Sequence, residues 1–341
     1  MSKKSTIHDI AKELNVTAST VSRALSGNPR ISESTREAVL DMAKKLDYQH
    51  NQIASALRSG RSYTIGVIMP TADRSFFSKV VRGIEEEASK AGYNVIICQS
   101  YDQLEKEQEN VEALLRLRAD GVIASIAKET KTFEHFQQLK LRNVPLILFD
   151  RVNENLGVST VVIDDFLGAY KATKHLLEQG YKRIAHFAGL QHINIYRERF
   201  RGYTAALSEA GLPVDDSLVL YFKNLLVEDG NAGMQQLLAL ENPPDAVFSA
   251  SDYAVLGAMQ MLKEKGLRIP EDVALVGFAN EPFTSFVEPA LSTVDQHSQQ
   301  MGVAIARLFF EEIKTPKQNR VPKQVILTPE LLVRGSSLRQ Q

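Results

Sequence analysis

Two hydrophobic rhythms divide this chain. Up to residue 47, apolar positions recur at i, i+3 and i+4: Ile7, Ile10, Ala11 and Leu14, then Val21, Ala24 and Leu25, then Val39, Met42 or Ala43, and Leu46. Each set makes one apolar stripe, so the pattern predicts three short amphipathic helices. Thr6 opens the first, with Asp9 three residues on in a near capping box. Asn15-Val16 makes the turn, and Thr17 can cap the second helix by accepting the amide of Ser19 or Thr20. After Gly27-Asn28-Pro29, Ser32 caps the third. From about residue 62 the rhythm changes. Apolar runs at 65–69, 95–98, 121–126, 146–149, 161–163, 184–187, 246–249 and 273–278 alternate with helical stretches at 77–90, 105–117, 169–179, 199–210 and 253–265. Continuous apolar strands joined through helices mean parallel sheets covered on both faces. The pattern occurs twice, with a break near 152–159, so two similar α/β lobes are expected. Ligands in such sheets sit beyond the carboxyl ends of the strands, which places a site in the cleft between lobes.

The second helix organises the first region. With Val21, Ala24 and Leu25 turned inward, Ala18, Ser19, Ser22 and Arg23 point away. A helix of roughly nine residues is unstable alone and needs neighbours to pin it. Small side chains, hydroxyls and one arginine suit a helix slid into a groove, where arginine can grip guanine with two hydrogen bonds. An ordinary surface helix would fit this window equally well. Its neighbours make the arrangement a helix-turn-helix. In the linker 48–61, Ile53 and Leu57 stand at helical spacing before Ser59-Gly60 ends the pattern. Ordering such a segment costs about 1–2 kcal/mol per residue in backbone entropy. It is expected to order only when DNA and a partner chain hold it.

Charge supports the division. Residues 1–61 carry ten Lys/Arg against six Asp/Glu, whereas the remainder carries thirty against thirty-five. A basic head on a mildly acidic body fits a head that meets phosphate. At 341 residues and 44% hydrophobic content, the chain has room for two to three domains with a substantial core. No apolar run reaches about 18 residues, and the charged start lacks a secretory pattern, so a cytoplasmic protein is expected. Cys98 is the only cysteine, excluding an internal disulfide or multi-cysteine metal site. No phosphate loop, GxGxxG after a strand, GxSxG or metal-spaced histidine pair occurs. No cofactor and no metal are therefore expected. His175, His186, His192 and His297 are scattered and read as surface or core residues. Asp164, Asp165 and Asp252 stand at strand-to-helix junctions, where capping is the default role and ligand contact the alternative.

The stretches T-I-H-D-I-A-K-E-L-N-V-T-A-S-T-V-S-R-A-L-S-G, R-I-S-E-S-T-R-E-A-V-L and L-D-Y-Q-H-N resemble the DNA-binding head of the lactose/galactose repressor (LacI/GalR) family. The resemblance implies that Ala18, Ser19 and Arg23 read bases. Thr17, Thr20, Ser22, Ser26 and Thr35 would hold phosphates, with Arg30 near the DNA. Arg23 would carry roughly 1–3 kcal/mol of discrimination if bidentate, whereas Ala18 can offer only apolar contact. In the linker the resemblance implies a hinge helix that pairs with its dimer mate in the minor groove. Leu57 would wedge a base step open, and Asn51 and Ala54 also fit. His50 stands where the family usually has proline, and Ser55 where it often has arginine.

The body resembles the same family and its relatives, the periplasmic sugar-binding proteins, through I-G-V-I-M-P, A-D-G-V-I, V-P-L-I-L-F-D-R, R-F-R-G-Y-T-A-A-L, S-D-Y-A-V-L-G-A-M and L-R-I-P-E-D-V-A-L-V-G-F. The likeness implies effector-facing residues at Phe76 and Phe77, at Asp150 and Arg151, and at Arg199 at a helix start, with Ser251, Leu225 and Asn280 beside them. Phe76 reads equally as a core anchor. Ala279 stands where the family usually has an aspartate that binds an effector hydroxyl or amine. With Arg151 and Arg199 in a cleft lacking that acid, a sugar phosphate or sugar acid becomes plausible beside a neutral sugar. The expected division is a head at 1–47, a hinge at 48–61 and a body at 62–341. Its first lobe would take about 62–160 with 292–322, and its second about 161–290 with 323–341. The C-terminal R-G-S-S-L-R-Q-Q carries no leucine heptads, so no coiled-coil tetramer is indicated. The whole reads as a homodimeric transcription regulator, expected to repress carbohydrate-related genes, with a small-molecule effector and a pseudo-palindromic double-stranded DNA operator. An α/β sugar- or nucleotide-processing enzyme with a fortuitous basic head is the alternative.

Overall fold

Three helices, α1 (Ile7–Glu13), α2 (Ala18–Leu25) and α3 (Glu33–Lys45), build the first unit around Ile10, Ala11, Val21, Ala24, Val39 and Ala43, all buried. The computed structural model describes residues 5–25, 27–48 and 61–339. These divide into two compact units, one up to Ser62 and one from Tyr63. The predicted caps are present. Thr6 and Asp9 form a capping box, and Thr17 Oγ1 accepts the Thr20 amide at 3.1 Å. Ser32 Oγ accepts the Thr35 amide at 3.3 Å. Asn15 makes the turn between α1 and α2 at φ +52°, a left-handed conformation that asparagine tolerates better than most residues. Short helices with this few apolar residues hold together because each presents its stripe to the other two.

The second unit contains two six-stranded sheets. The first, wholly parallel, has the order β11-β5-β4-β3-β1-β2. Its strands are β1 (Thr64–Met69), β2 (Asn94–Gln99), β3 (Gly121–Ala124), β4 (Leu146–Phe149), β5 (Ser159–Ile163) and β11 (Gln324–Leu327). The second has the order β12-β10-β9-β8-β6-β7, parallel except where β12 runs against β10. It comprises β6 (Ile184–Ala188), β7 (Val219–Tyr221), β8 (Ala246–Ser249), β9 (Ala274–Phe278), β10 (Ser292–Asp295) and β12 (Glu330–Leu332). Around the first sheet lie α4 (Ser75–Lys90), α5 (Leu104–Arg116), α6 (Glu134–Leu141) and α11 (Ser298–Lys314). Around the second lie α7 (Asp165–Glu178), α8 (Asn194–Glu209), α9 (Val227–Leu238) and α10 (Asp252–Glu264). Gly83 on α4 and Gly302 on α11 allow these helices to touch backbone to backbone; a Cβ at Gly302 would lie 2.0 Å from the Val80 carbonyl oxygen.

The two-lobe architecture stands as expected, but the lobe boundaries need correction. β5 pairs with β4 at Ile147↔Ser159 and with β11 at Val325↔Val161. All of Ser159–Ile163 therefore belongs to the first lobe, and the chain crosses at Asp164 rather than near 152–159. β10 pairs with β9 and belongs to the second lobe, while β11 belongs to the first. An apolar run satisfies either sheet equally; only the hydrogen-bond ladder with a distant strand assigns it. The crossings after β5 and after β11 lie side by side, as shown by the Asp164 amide donating to the Leu327 carbonyl at 2.9 Å. Helices α6, α9 and α11 and strands β7, β10, β11 and β12 were not among the expected elements. Several are short, and β10 begins with Ser292 and Thr293, so its polar sequence gave no strand signal.

Candidate DNA-reading face and ligand cleft

On α2 the inward stripe leaves Ser19 and Arg23 exposed, with Ala18, Thr20 and Ser22 half-buried. Thr17 and Arg30 are also exposed, whereas Thr35 is half-buried and its hydroxyl shares a 2.7 Å hydrogen bond with Ser32. Thr17 and Thr20 likewise share a hydroxyl contact at 2.9 Å. These hydroxyls therefore serve the helix starts, and an exposed Thr17 can cap and meet a phosphate at once. The expected DNA contacts Ser26, Asn51, Ala54 and Leu57, and the unusual His50 and Ser55, lie outside the described residues.

In the second unit the strands of both sheets point their carboxyl ends at a cavity of about 50 Å³ between the lobes. Phe76 and Phe77 from the start of α4, Asp150 and Arg151 after β4, Arg199 from α8 and Ser251 after β8 all line it. Both readings of Phe76 meet here: it is 6% exposed, packs in the core with Phe77, and borders the cavity. Leu225 and Asn280 are not on the wall. Leu225 is 1% exposed inside the second lobe's core. The Asn280 side chain donates to Asp295 at 3.0 Å and accepts from Arg334 at 3.0 Å. The structure also brings Arg74, Tyr196, Tyr253, Glu281 and Gln296 to the cavity, none of which the sequence singled out. Two wider hollows, of about 620 and 630 Å³, open on the surface near His297, and none of the expected effector-facing residues lines either.

The charged groups are already engaged. Arg199 lies inside α8 rather than at its start, and its side chain spans from Asp165 (2.7 Å) to the Ala250 carbonyl (2.8 Å), its guanidinium 3.7 Å from the Phe278 ring centre. Burial pushes the Asp165 carboxyl up to about 7, with Arg199 pulling the other way. Arg151 pairs with Asp102, and Lys128 reaches the same carboxylate at 3.2 Å. Burial raises Asp102, but Arg151 and Lys128 outweigh it and hold the carboxyl below its usual range. Asp150, left-handed at φ +57°, accepts from Ser125 at 3.2 Å, and burial drives its carboxyl up against Arg151 and Arg199.

Of the junction acids, only Asp164 is a simple cap, accepting the Leu167 amide at 2.8 Å. Asp252, fully buried and pushed by burial to about 7, accepts Thr293 Oγ1 at 2.7 Å and the Glu281 amide at 2.8 Å. It thereby fixes the loop that carries Ala279, at φ +129°, and Glu281. Glu281 is 3% exposed, and its carboxylate receives the Ser75 amide across the cleft at 3.4 Å. Beside the expected Asp150, the cleft thus holds a second carboxylate that the sequence did not single out. Ala279 does stand where an aspartate was expected, but a carboxylate arrives from two residues further along.

Further polar contacts join the lobes. Asn194 donates to the Asp150 carbonyl at 3.0 Å and accepts the Val152 amide at 3.1 Å. Lys128 reaches Asn224 at 3.5 Å, and His192 meets the Lys128 carbonyl at 3.2 Å. Three buried atoms on or beside the cavity lack a hydrogen-bond partner among the described residues: Ser75 Oγ, Arg151 Nε and Gln296 Oε1. Among the described residues no group of three or more His, Cys, Asp or Glu could hold a metal, and no helix is long and apolar enough to cross a membrane.

Comparison with known proteins covers nearly the whole chain. Residues 6–51 match the family described as bacterial regulatory proteins, lacI family. Residues 62–334 match periplasmic binding proteins and sugar binding domain of LacI family. The HTH-type transcriptional repressor PurR of Actinobacillus pleuropneumoniae serotype 3 (strain JL03) is 32% identical over 331 residues, 97% of this chain and 98% of that protein. Catabolite control protein A of Priestia megaterium is 33% identical over 305 residues, 89% and 91% of the two chains. The structure of the transcriptional regulator CelR–cellobiose complex superimposes with a TM-score of 0.74 at 31% identity, covering 98% of this chain and 100% of that one. The lac repressor dimer bound to operator and the anti-inducer ONPF shares the fold, with a TM-score of 0.87 at 24% identity and 99% and 100% coverage.

Proposed function

The chain belongs to the LacI family of DNA-binding transcriptional repressors, which are not enzymes, and from that premise we propose that its cleft takes a neutral, hydroxyl-rich sugar. On this reading the protein acts in the cytoplasm as a homodimer on a pseudo-palindromic operator, and the genes it represses are carbohydrate-related. The observation that carries the ligand class is the cavity's balance of donors and acceptors. Asp150, Glu281 and Gln296 Oε1 offer acceptors, while Arg151 and Arg199 already spend their charge on Asp102 and Asp165. The open donors there, Arg151 Nε, Ser75 Oγ and Arg74, stand beside these acceptors, and a ligand whose O–H groups both donate and accept can satisfy the two sets together, whereas an anion would meet two carboxylates. A relative of 31% identity complexed with cellobiose supports the same class.

A cavity of about 50 Å³ is far below the roughly 300–1,000 Å³ of small-molecule clefts, so the lobes must part to admit a sugar. Binding then selects between lobe arrangements through the contacts that bridge them, Glu281–Ser75 and Asn194–Asp150 among them. The ligand's effect equals its difference in affinity for those arrangements. Two α2 helices of a dimer, set about one helical turn apart, would read the two operator halves. A thermal-shift series with cellobiose, glucose, ribose, glucose 6-phosphate and gluconate tests the ligand class. A neutral sugar should raise the melting temperature; stabilisation by the phosphate or acid alone would overturn it. Selection from a random DNA pool tests the operator, with Arg23→Ala as the control.

A further inference from the structure

We propose that the end of the first lobe opposite the cleft is a second DNA-contacting surface, one that meets the phosphate backbone beside the site gripped by the head. The parallel topology of the first sheet gathers the starts of its strands at one end, together with the ends of the helices that lead into them. The bond from the Asp120 amide to the Thr64 carbonyl, at 2.8 Å, and that from the Asn94 amide to the Tyr63 carbonyl, also at 2.8 Å, show β1, β2 and β3 beginning side by side. That end is basic. Lys90 and Arg116 close α4 and α5, each paired with a glutamate of its own helix, Arg118 follows α5, and Lys140 lies in the last turn of α6 with Arg142 just beyond. The connection from α11 to β11, residues 314–323, carries four Lys/Arg and no Asp/Glu.

Positive residues at helix carboxyl ends complement the helix dipole, which accounts for Lys90, Arg116, Lys140, Lys314 and, at the cap of α6, Arg142. It does not account for the rest. Arg118 lies beyond the helix end at φ +55°, where a side chain is disfavoured, and Lys317 sits in the segment leading to β11, where Lys323 is paired with Glu311. Arg118, Arg142, Lys314 and Lys317 are all exposed, and none is held in an ion pair with another described residue. This concentration stands out because residues from 62 onward carry an excess of Asp/Glu overall.

The occupant follows from charge and connectivity. The chain enters β1 at this same end, directly after the linker from the DNA-binding head. The fourteen residues from 49 to 62 span at most about 50 Å when fully extended, or about fifteen base pairs of duplex. DNA held by the head is thus the polyanion tethered nearest to this surface. Contacts to phosphate would add affinity and salt dependence without sequence preference.

The test uses the full-length chain and mixed-sequence duplexes of about 16 and about 40 base pairs, with anisotropy titrations between roughly 50 and 200 mM KCl. The variant is Arg118→Gln/Arg142→Gln/Lys314→Gln/Lys317→Gln, with circular dichroism as the folding control. On the longer duplex its affinity should fall at least roughly tenfold, and the slope of log K against log salt should become shallower by about 3–4. On the shorter duplex, which reports the head alone, the change should stay within about twofold. Equal losses on both lengths, or no loss on the longer one, would overturn the proposal. So would a loss of poly-glutamate binding with DNA binding intact, which would make the surface a dock for acidic protein. If the fourfold variant misfolds, the two double variants Arg118→Gln/Arg142→Gln and Lys314→Gln/Lys317→Gln face the same criterion. Failure of the head itself would appear separately, as loss of binding to the short duplex by the wild-type chain.

Discussion

Arg23 stands exposed on α2, whereas Arg199 is 4% exposed between Asp165, the Ala250 carbonyl and the Phe278 ring. The first unit is a small core that pushes its chemistry outward. The second encloses its chemistry, and its charges are balanced internally before any ligand arrives. A side chain's type says what it can bond; its burial decides whether that capacity is offered to a partner or consumed by the fold. The arginine that the sequence placed facing an effector is thus first a strut, joining α8 to the start of α7 and the end of β8.

The largest expected effect tests that strut. Arg199→Met leaves Asp165 buried without its partner, at a cost of about 3–5 kcal/mol, or roughly 10 °C in melting temperature for a unit of this size. Removing both charges in Arg199→Met/Asp165→Leu should recover most of that loss, because a buried pair contributes little beyond a well-packed apolar pair. Calorimetry of the two variants decides, and a single variant as stable as wild type would erase the contrast between the two arginines.

Arg23→Ala should do the reverse. Its unfolding free energy should stay within about 0.5 kcal/mol of wild type. Discrimination between a selected operator and one with the contacted guanine replaced should fall by about 1–3 kcal/mol. A uniform loss on all sequences in gel shifts would instead make Arg23 a phosphate contact.

Acid provides a third test, confined to the second unit. Burial against Phe248, Tyr203 and Phe200 pulls His186 down to about 4 and holds it neutral in the fold, with its Nδ1 3.0 Å from the Phe248 carbonyl. Once unfolded, the ring takes a proton near 6.5. Its contribution is therefore full above about pH 6.5 and lost as the pH falls towards 4. Asp252, raised to about 7, runs the other way: its contribution is full below about pH 4 and lost as the pH rises through 7. Comparing wild type with His186→Phe isolates the histidine. Between pH 7 and 5, wild type should lose about 2 kcal/mol more stability than the variant in denaturant titrations. Equal losses would remove His186 as the cause.

The smallest effect concerns the acid that reaches the cleft from Glu281. Glu281→Gln keeps an acceptor but removes its charge, so affinity for the stabilising sugar should drop by about 1 kcal/mol with little change in melting temperature. An unchanged affinity by calorimetry would leave Asp150 as the only carboxylate recognising the ligand.

Much of this molecule was legible in its periodicities. The three head helices, their Thr6, Thr17 and Ser32 caps, and the outward position of Ser19 and Arg23 follow from contacts within a few residues, which local sequence encodes directly. The apolar runs that became β1, β3, β4, β8 and β9 were equally plain, because a strand buried on both faces has no polar side to obscure it. Placing Phe76, Phe77, Asp150, Arg151 and Ser251 near a cleft required only the rule that ligands sit beyond strand ends, together with the family resemblance. The tertiary structure alone decided the rest. It assigned β5, β10 and β11 to their lobes, since a ladder partner elsewhere in the chain, more than a hundred residues away for β5 and β11, leaves no trace in a strand's own pattern. It carried Leu225 and Asn280 away from the cavity and brought Glu281 in, held by Asp252 and Thr293 from separate elements. It also paired Arg151 with Asp102 and Arg199 with Asp165, so both arginines are engaged before any ligand arrives. A residue's character is local, but the bonds left open after folding depend on every neighbour the chain brings to it.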